Sequence, residues 1–189
     1  MATASGRQLT GWNRAVTASE TLLVRSMNEG DVEMVRSWRN HPDVRKFMYT
    51  THVVSRDEHA DWFDRCSKDP DRHLLIFERD GKASGFTGLH RIAAGEIAEW
   101  GFYVAPGALP GSGAKMGCRV LDHAFENLQF HKLCGQAIAF NERSSDFHVK
   151  LGFRREGVLI EQHHDGRQYH DVHCFGLLAN EWKENRKIF

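Results

Sequence analysis

The segment Pro110-Gly111-Ser112-Gly113-Ala114-Lys115 has the composition most closely tied to chemistry in this sequence. It lies between a strand-like run, residues 97–104, and a helix-like run. The helix-like run carries apolar residues at the spacing of one helical face, at Leu121, Ala124, Phe125 and Leu128. A glycine-rich turn between strand and helix directs free backbone N–H groups and the positive end of the helix dipole at one point. A pyrophosphate commonly binds there; the alternative is a turn with a purely conformational role.

Four histidines are the next candidates for chemistry, because imidazole is a common metal ligand. They stand on both sides of a turn at Asp165-Gly166, at His163, His164, His170 and His173. Alternation along a hairpin would spread these side chains over both of its faces. No cysteine or carboxylate stands at ligand spacing from them, so we predict no metal site.

Hydrophobic periodicity and turn residues predict the elements that must hold these groups in place. Strands are predicted at residues 22–27, 73–79, 83–92, 97–104, 133–140, 154–162 and 169–177. Helices are predicted from about residue 28 to residue 40, from the capping box that begins at Ser55, after the glycine turn, and at residues 142–150. The resulting order, β-α-α-β-β-β-α-β-α-β-β, predicts an α/β or α+β domain built on one mixed sheet.

Composition limits the classes of protein that fit this sequence. Residues 1–20 lack periodicity and are expected to form a flexible N-terminal extension, followed by a single domain over residues 21–189. With 25 basic and 25 acidic residues, the sequence indicates no nucleic-acid partner. No apolar run approaches the roughly 20 residues of a membrane span, and no signal peptide is visible. The unpaired spacing of the four cysteines indicates reduced thiols in a cytoplasmic protein.

A second motif, about 30 residues beyond the glycine turn, connects the sequence with a family. From Asn141 to Phe153 it reads Asn-Glu-Arg-Ser-Ser-Asp-Phe-His-Val-Lys-Leu-Gly-Phe. This motif, the glycine turn and the element order resemble the GNAT N-acetyltransferase superfamily. The resemblance implies a mixed, mostly antiparallel sheet of about seven strands flanked by helices, with a β-bulge and a V-shaped splay at an acetyl-CoA site. It also implies acetyl transfer from acetyl-CoA to an amine.

The first half of the sequence is similar to a narrower group, the PseH-type sugar-nucleotide N-acetyltransferases. The similarity rests on Trp38-Arg39-Asn40-His41-Pro42, Phe47-Met48-Tyr49, and His59 with Trp62. Late in the sequence, Asp171-Val172 favours the same group. It implies that the acceptor is the 4-amino group of a UDP-linked 4-amino-4,6-dideoxy-N-acetyl sugar in pseudaminic acid biosynthesis. The Arg-Asn-His-Pro element is shared more loosely with RimJ/RimL-type protein N-acetyltransferases and with spermidine acetyltransferases.

The resemblance assigns cofactor-binding roles to ten residues: Tyr103, Val104, Gly111, Ser112, Gly113, Ala114, Lys115, Asn141, Phe147 and Lys150. The amides of the glycine turn would hold the pyrophosphate. Lys115 would compensate for Ala108, which stands where the family has Gln or Arg. The bulge would lie within residues 99–104, where an amide near Tyr103 or Val104 would stabilise the oxyanion. Asn141 would reach the pantetheine arm, cap the following helix, or do both.

Two residues are assigned catalytic roles. His148 stands where the family often has the tyrosine that protonates the departing CoA thiolate. It could donate that proton, act as the base toward the amine, or pack without a role. Glu99 is the candidate to relay the proton of the amine, with a solvated strand carboxylate as the alternative. The expected mechanism is direct attack in a ternary complex, without a covalent enzyme intermediate.

A sugar-nucleotide acceptor requires aromatic rings that stack on the base and cations that pair with phosphate. The candidate apolar walls are Met48, Tyr49, Trp62 and Trp100. The candidate polar contacts are Arg39, His59, His90 and Arg91. Two alternatives stay open: a RimJ/RimL-type protein N-terminal acetyltransferase and an acyl-CoA-binding module without turnover. The resemblance further implies that the last hairpin joins a homodimer interface or shapes the acceptor pocket.

Overall fold

The computed structural model of the protein describes residues 20–186. This part of the chain contains seven strands: β1 (Leu22–Ser26), β2 (Arg72–Arg79), β3 (Lys82–Ala93), β4 (Ile97–Val104), β5 (Lys132–Ile138), β6 (Arg154–His164) and β7 (Tyr169–Leu178). It also contains six α-helices: α1 (Val32–Asn40), α2 (Pro42–Arg45), α3 (Arg56–Ser67), α4 (Ser112–Asp122), α5 (Glu142–Lys150) and α6 (Ala179–Asn185). A 3-10 turn, Glu29–Asp31, precedes α1, and a π-helical turn, His123–Asn127, extends α4.

The seven strands form one sheet in the order β1-β2-β3-β4-β5-β7-β6. Neighbouring strands are antiparallel except for β4 and β5, which run parallel. The predicted mixed, mostly antiparallel sheet flanked by helices is therefore confirmed. Pairing between β4 and β5 extends only from Ile97 with Lys132 to Trp100 with Gly135, after which the two strands separate. This separation is the predicted V-shaped splay.

The bulge lies in a different place from the one predicted. The register shift between β3 and β4 falls between Arg91 and Ala93 on β3, and pairing is continuous from Ala98 to Val104. The bulge predicted within residues 99–104 is thus not seen in this register. A bulge depends on how two strands pair, and the sequence of one strand alone does not show that.

Two hydrophobic clusters attach the helices to opposite faces of the sheet. A cluster around Val35 and Ile76 holds α1 and α3 on the face that we call the α1/α3 face. A larger cluster around Leu121, Leu133 and Trp182 holds α4, α5 and α6 on the other, the α4/α5 face. Because successive strand residues point to opposite faces, one strand can supply side chains to both.

Two short helices were not predicted. Helix α1 ends at Asn40 as expected, but Pro42 then begins α2, since a proline needs no N–H partner in the first helical turn. Helix α6 is too short for a periodic pattern to be read from it. The predicted extension lies, apart from its last residue, outside the described part of the chain.

Two negative findings apply to residues 20–186. No helix in this range combines the length and the apolar composition needed to cross a membrane. The same range holds no group of three or more His, Cys, Asp or Glu side chains placed to bind a metal ion.

Candidate active site

The splay exposes backbone groups of β4 that have no partner strand. Ala105 donates its N–H to Ser84 O at 2.9 Å, so the N–H groups of alternate residues along β4 point to β3. The N–H groups of Phe102 and Val104 therefore point to the side from which β5 has departed. Of the two amides predicted to stabilise the oxyanion, only that of Val104 faces the splay.

The splay opens into a cleft of about 1350 Å³ that reaches both faces of the sheet. Most of the predicted site residues line it: Arg39, Met48, Tyr49, His59, Trp62, His90, Glu99, Trp100, Tyr103, Val104, Gly113, Asn141, Phe147 and Lys150. The others do not: Arg91, Gly111, Ser112, Ala114, Lys115 and His148. The fold thus brings the two halves of the predicted site together around one opening.

The glycine turn holds free amides next to this cleft, which Gly113 lines. Gly111 adopts the left-handed conformation, with φ 81°, and no side chain caps α4. The N–H of Ser112 donates to Leu109 O, and that of Lys115 donates to Gly111 O. Within residues 20–186, the N–H groups of Gly113 and Ala114 have no hydrogen-bond partner. The first turn of α4 therefore offers two free donors to an anion.

The side chain of Lys115 does not point to this anion site, contrary to the role predicted for it. Its ammonium group forms an ion pair with Glu20, which also pairs with Arg79. Arg79 in turn donates to Pro110 O at 2.9 Å and to Ser112 Oγ at 3.2 Å. The compensation for Ala108 that we expected from Lys115 is therefore absent, and Arg79 supports the turn instead through Pro110 O and Ser112 Oγ.

Arg79→Met should raise KM for acetyl-CoA about 3- to 10-fold, because it removes two hydrogen bonds to the turn. We expect kcat to change little, since Arg79 lies outside the cleft. Arg25→Met is the matched control: Arg25 also pairs with two carboxylates, Asp31 and Glu78, but contacts no cofactor-binding residue. Steady-state kinetics check both variants, and equal KM values for them would contradict a role of Arg79 in positioning the turn.

The structure contradicts the catalytic role predicted for His148. The ring is 1% exposed and does not line the cleft. Its Nδ1 donates to Ser144 O at 2.7 Å, and its Nε2 accepts from the indole N–H of Trp100 at 3.0 Å. Burial lowers the pKa of His148 to about 4, so the ring is neutral at neutral pH. With both nitrogens engaged, His148 has no proton to give to a thiolate.

The structure also changes the acceptor-binding roles predicted for Trp100 and Arg91. Trp100 points to the α4/α5 face, is 4% exposed, and stacks on Phe153 at a centroid distance of 5.1 Å. It belongs to the core and borders the cleft from the α4/α5 face, opposite the face of the proposed acceptor contacts. Arg91 pairs with Asp71 and Glu96, and therefore stays outside the cleft.

Glu99 is the carboxylate that stands at the splay. It is half-buried, lines the cleft, and lies opposite His90 on the neighbouring strand. Among the described residues it has no ion-pair or side-chain hydrogen-bond partner. Burial raises the pKa of Glu99, with a smaller opposing effect of His90. An unpaired carboxylate with a raised pKa fits a group that accepts a proton.

Gln136 is a cleft residue that the sequence analysis missed. It follows Gly135, the last residue of β5 paired with β4, and accepts a hydrogen bond from the Tyr49 hydroxyl at 2.7 Å. Burial and the nearby charge of Glu99 raise the pKa of Tyr49 to about 12. Its phenol therefore stays protonated. Gln136 lies two residues after Cys134, the β5 partner of Glu99, and therefore on the same face of the sheet as Glu99. That position was the signal that could have identified it as a site residue.

The α1/α3 end of the cleft holds two polar atoms without partners. Arg39 donates from Nη2 to Thr50 O at 2.6 Å, but its Nη1 is buried and unpartnered. Nδ1 of His59 is also buried and unpartnered, and its ring stacks on Trp62 with centroids 4.7 Å apart. Burial lowers the pKa of both groups. Nη1 is a donor, and Nδ1 donates or accepts according to the tautomer of the ring. Unsatisfied polar atoms next to an open cleft favour a ligand that completes them.

Asn141 performs one of its two predicted roles. Its Oδ1 accepts from Ser144 N–H at 3.2 Å and so caps α5. The residue also lines the cleft. Further lining residues that the sequence analysis missed are Arg65, Arg72, Gly88, Gly101 and Arg143.

Comparison with known proteins agrees with this geometry. Residues 21–154 match the acetyltransferase (GNAT) domain family. Acetyltransferase PseH of Campylobacter jejuni is 26% identical over 118 residues, which cover 62% of this chain and 73% of that protein. The SPbeta prophage-derived N-acetyltransferase YokL of Bacillus subtilis is 33% identical over 170 residues, which cover 88% of this chain and 94% of that protein.

A crystal structure of spermidine N-acetyltransferase from Vibrio cholerae, in complex with CoA and spermine, has the same fold. Its TM-score is 0.80 at 22% identity, and the match covers 86% of this chain and 98% of that one. The family match spans most of the described chain, including the splay and the glycine turn. This protein therefore belongs to the GNAT acetyltransferase family and uses acetyl-CoA as its co-substrate.

Proposed function

We propose that this enzyme acetylates the 4-amino group of a UDP-linked 4-amino-4,6-dideoxy-N-acetyl sugar, as in pseudaminic acid biosynthesis. The observation that carries the proposal is Arg39, which lines the α1/α3 end of the cleft, has no carboxylate partner within residues 20–186, and has a hydrogen bond on Nη2 but none on Nη1. A guanidinium held in this way is suited to a phosphate oxygen. The similarity of the chain to C. jejuni acetyltransferase PseH over 118 residues supports the acceptor that the PseH-type resemblance implies.

The charges that line the cleft favour an anionic acceptor over a polyamine. Two of the lining carboxylates are already paired, Asp43 with Lys46 and Glu58 with His52, each at 2.9 Å. In contrast, the lining residues Arg39, Arg65 and Arg143 have no ion-pair partner within residues 20–186. A polyamine carries several positive charges and would meet these arginines. The lining carboxylates without an ion-pair partner in the same range are Glu99, on the α1/α3 face, and Glu142 and Asp146 on α5, the helix of the predicted cofactor-binding residues Phe147 and Lys150.

Polyamine acetylation is the second candidate, because the V. cholerae relative was crystallised with spermine. A protein N-terminal acetyltransferase and an acyl-CoA-binding module are less well supported. The module is disfavoured because an unpaired carboxylate and a free amide face the same opening.

In the proposed reaction the protonated amine loses one proton to Glu99, directly or through water, and its nitrogen attacks the thioester carbonyl. The C–S bond then breaks, and the departing CoA thiolate takes the second proton that the nitrogen gives up. The N–H of Val104 would stabilise the charge that develops on the carbonyl oxygen. The pyrophosphate of acetyl-CoA would accept hydrogen bonds from the N–H groups of Gly113 and Ala114. Direct attack needs no covalent enzyme intermediate.

We also propose that the enzyme acts in the cytoplasm as a homodimer. Its four cysteines are free thiols, as expected in a reducing compartment. The edge strand β6 exposes consecutive apolar residues, of which Ile160 is 79% exposed, and an unpaired edge of this kind favours pairing with a second copy. Sedimentation velocity tests the dimer, and a single monomeric species at micromolar concentration would contradict it.

Arg39→Met tests the acceptor assignment by binding. We expect the affinity for UDP, measured by calorimetry, to fall about 10- to 100-fold, because one charge-assisted hydrogen bond to phosphate is lost. The affinity for CoA should be unchanged, since Arg39 lies on α1, away from the glycine turn.

Arg72→Met is the control, because Arg72 also lines the cleft but pairs with Asp69 at 3.2 Å. Equal UDP affinities of wild type and Arg39→Met would contradict the proposed phosphate contact. Failure of the wild type to bind UDP would contradict a UDP-linked acceptor altogether.

A further inference from the structure

Two glycines face each other in the floor of the cleft. Gly88 of β3 and Gly101 of β4 are direct cross-strand partners, and both line the cleft. Gly88 is two residues from His90 on β3, and Gly101 is two residues from Glu99 on β4. Because residues two apart in a strand lie on the same face of the sheet, all four positions belong to the α1/α3 face. The floor is closed at its other end by Phe86 and Tyr103, whose rings lie 5.2 Å apart.

Neither glycine is required by the fold itself. Both lie in strands and neither has a positive φ, in contrast to Gly111 and the turn glycines. A Cβ on Gly101 would meet nothing within 4 Å, and one on Gly88 would be no closer than 3.7 Å to Phe86. In contrast, a Cβ on Gly135 would collide with buried rings.

Glycine inside a strand weakens the strand and often marks a place where a ligand approaches the backbone closely. Here packing and backbone conformation are both excluded as reasons, and the space above the glycines belongs to the cleft. We infer that the Gly88–Gly101 floor determines acceptor specificity: the amine-bearing ring of the acceptor lies flat on it, with the amine toward Glu99. This inference rests on the proposed function and adds the shape of the acceptor to it.

A flat ring and a linear amine make different demands on this floor. A saturated sugar ring needs the full width between Glu99 and Tyr103, with its substituents close to the backbone. A linear polyamine needs only a narrow path. Methyl groups added to the floor should therefore hinder binding of the ring, and a larger side chain should hinder it more.

The test is a series at one position, Gly101→Ala and Gly101→Val. We expect kcat/KM for a UDP-linked 4-amino-6-deoxy sugar to fall about 10-fold with alanine and more than about 100-fold with valine, since single methyl groups alter discrimination by such factors. The Kd for acetyl-CoA should stay within about twofold of the wild type, because the floor lies on the face opposite α4.

Gly157→Ala is the matched control, since Gly157 also lies in a strand, has no neighbour within 4 Å of an added Cβ, and is not in the cleft. If the wild type acetylates the sugar nucleotide and Gly101→Val does so with unchanged kcat/KM, the floor has no role in specificity. If the wild type acetylates spermidine and no sugar nucleotide, the proposed function fails, and the assignment of a ring to the floor fails with it. The acceptor that the wild-type enzyme acetylates therefore distinguishes failure of the proposed function from failure of the floor's role alone.

Discussion

Glu99→Gln is expected to lower kcat by about 100-fold or more, the usual contribution of a positioned general base. Glutamine keeps the shape of the side chain but cannot accept the proton of the amine. The acidic limb of the kcat/KM profile against pH should disappear with it. In the wild type this limb should lie above the ordinary carboxyl range, because burial raises the pKa of Glu99.

Stability measurements distinguish this catalytic loss from misfolding. A raised folded-state pKa means that folding favours the protonated form of Glu99, so its charge costs stability above that pKa. The neutral glutamine should therefore leave Tm unchanged or higher at neutral pH. Glu58→Gln is the control in the same cleft, and its kcat should be unchanged because Glu58 pairs with His52. Full kcat in Glu99→Gln would remove Glu99 from the mechanism.

Gly135→Ala is expected to destabilise the protein by about 1–3 kcal/mol, the range for overpacking a close-packed core. A Cβ at this position would lie 2.3 Å from Nε2 of His148 and 2.7 Å from Nε1 of Trp100. Neither ring can move aside easily, because His148 stacks on Phe175 at 4.6 Å. Thermal unfolding should show Tm lower by roughly 2 to 12 °C for a chain of this size.

The reference variant for this measurement is Gly101→Ala, whose added Cβ meets nothing within 4 Å and should leave Tm unchanged. His148→Ala should also destabilise the protein, because it deletes a buried ring. When His148→Ala is combined with Gly135→Ala, the losses should be less than additive, since the clash disappears with the ring. A Tm for Gly135→Ala equal to that of the wild type would show that the rings are not held as described.

The sequence was a good guide wherever local chemistry decides the structure. The glycine turn was recognisable because Gly111 permits a left-handed residue before α4 and the apolar spacing beyond it marks a helix. The order of the strands along the chain followed from alternating patterns and turn residues. The splay itself came from the family resemblance, because no local pattern in β4 or β5 marks the end of their pairing.

Predictions about single side chains were weaker, because burial and ion pairing depend on distant parts of the chain. His148 stands at a position associated with a catalytic acid, but Trp100, 48 residues earlier, occupies its Nε2. Lys115 appeared free in the sequence, yet Glu20 pairs with it across 95 residues. The acceptor floor was missed for a related reason: two unremarkable glycines become informative only when the register places Gly88 opposite Gly101.

The most direct test of the central claim compares kcat/KM for a UDP-linked 4-amino-6-deoxy sugar with kcat/KM for spermidine. Both are measured by CoA release from acetyl-CoA with the same preparation. The unpaired arginines of the cleft and the free carboxylate of Glu99 predict a ratio of about 100 or more in favour of the sugar nucleotide, the equivalent of one or two charge-assisted hydrogen bonds. A ratio of one or less would contradict the proposed acceptor and assign the cleft to polyamines.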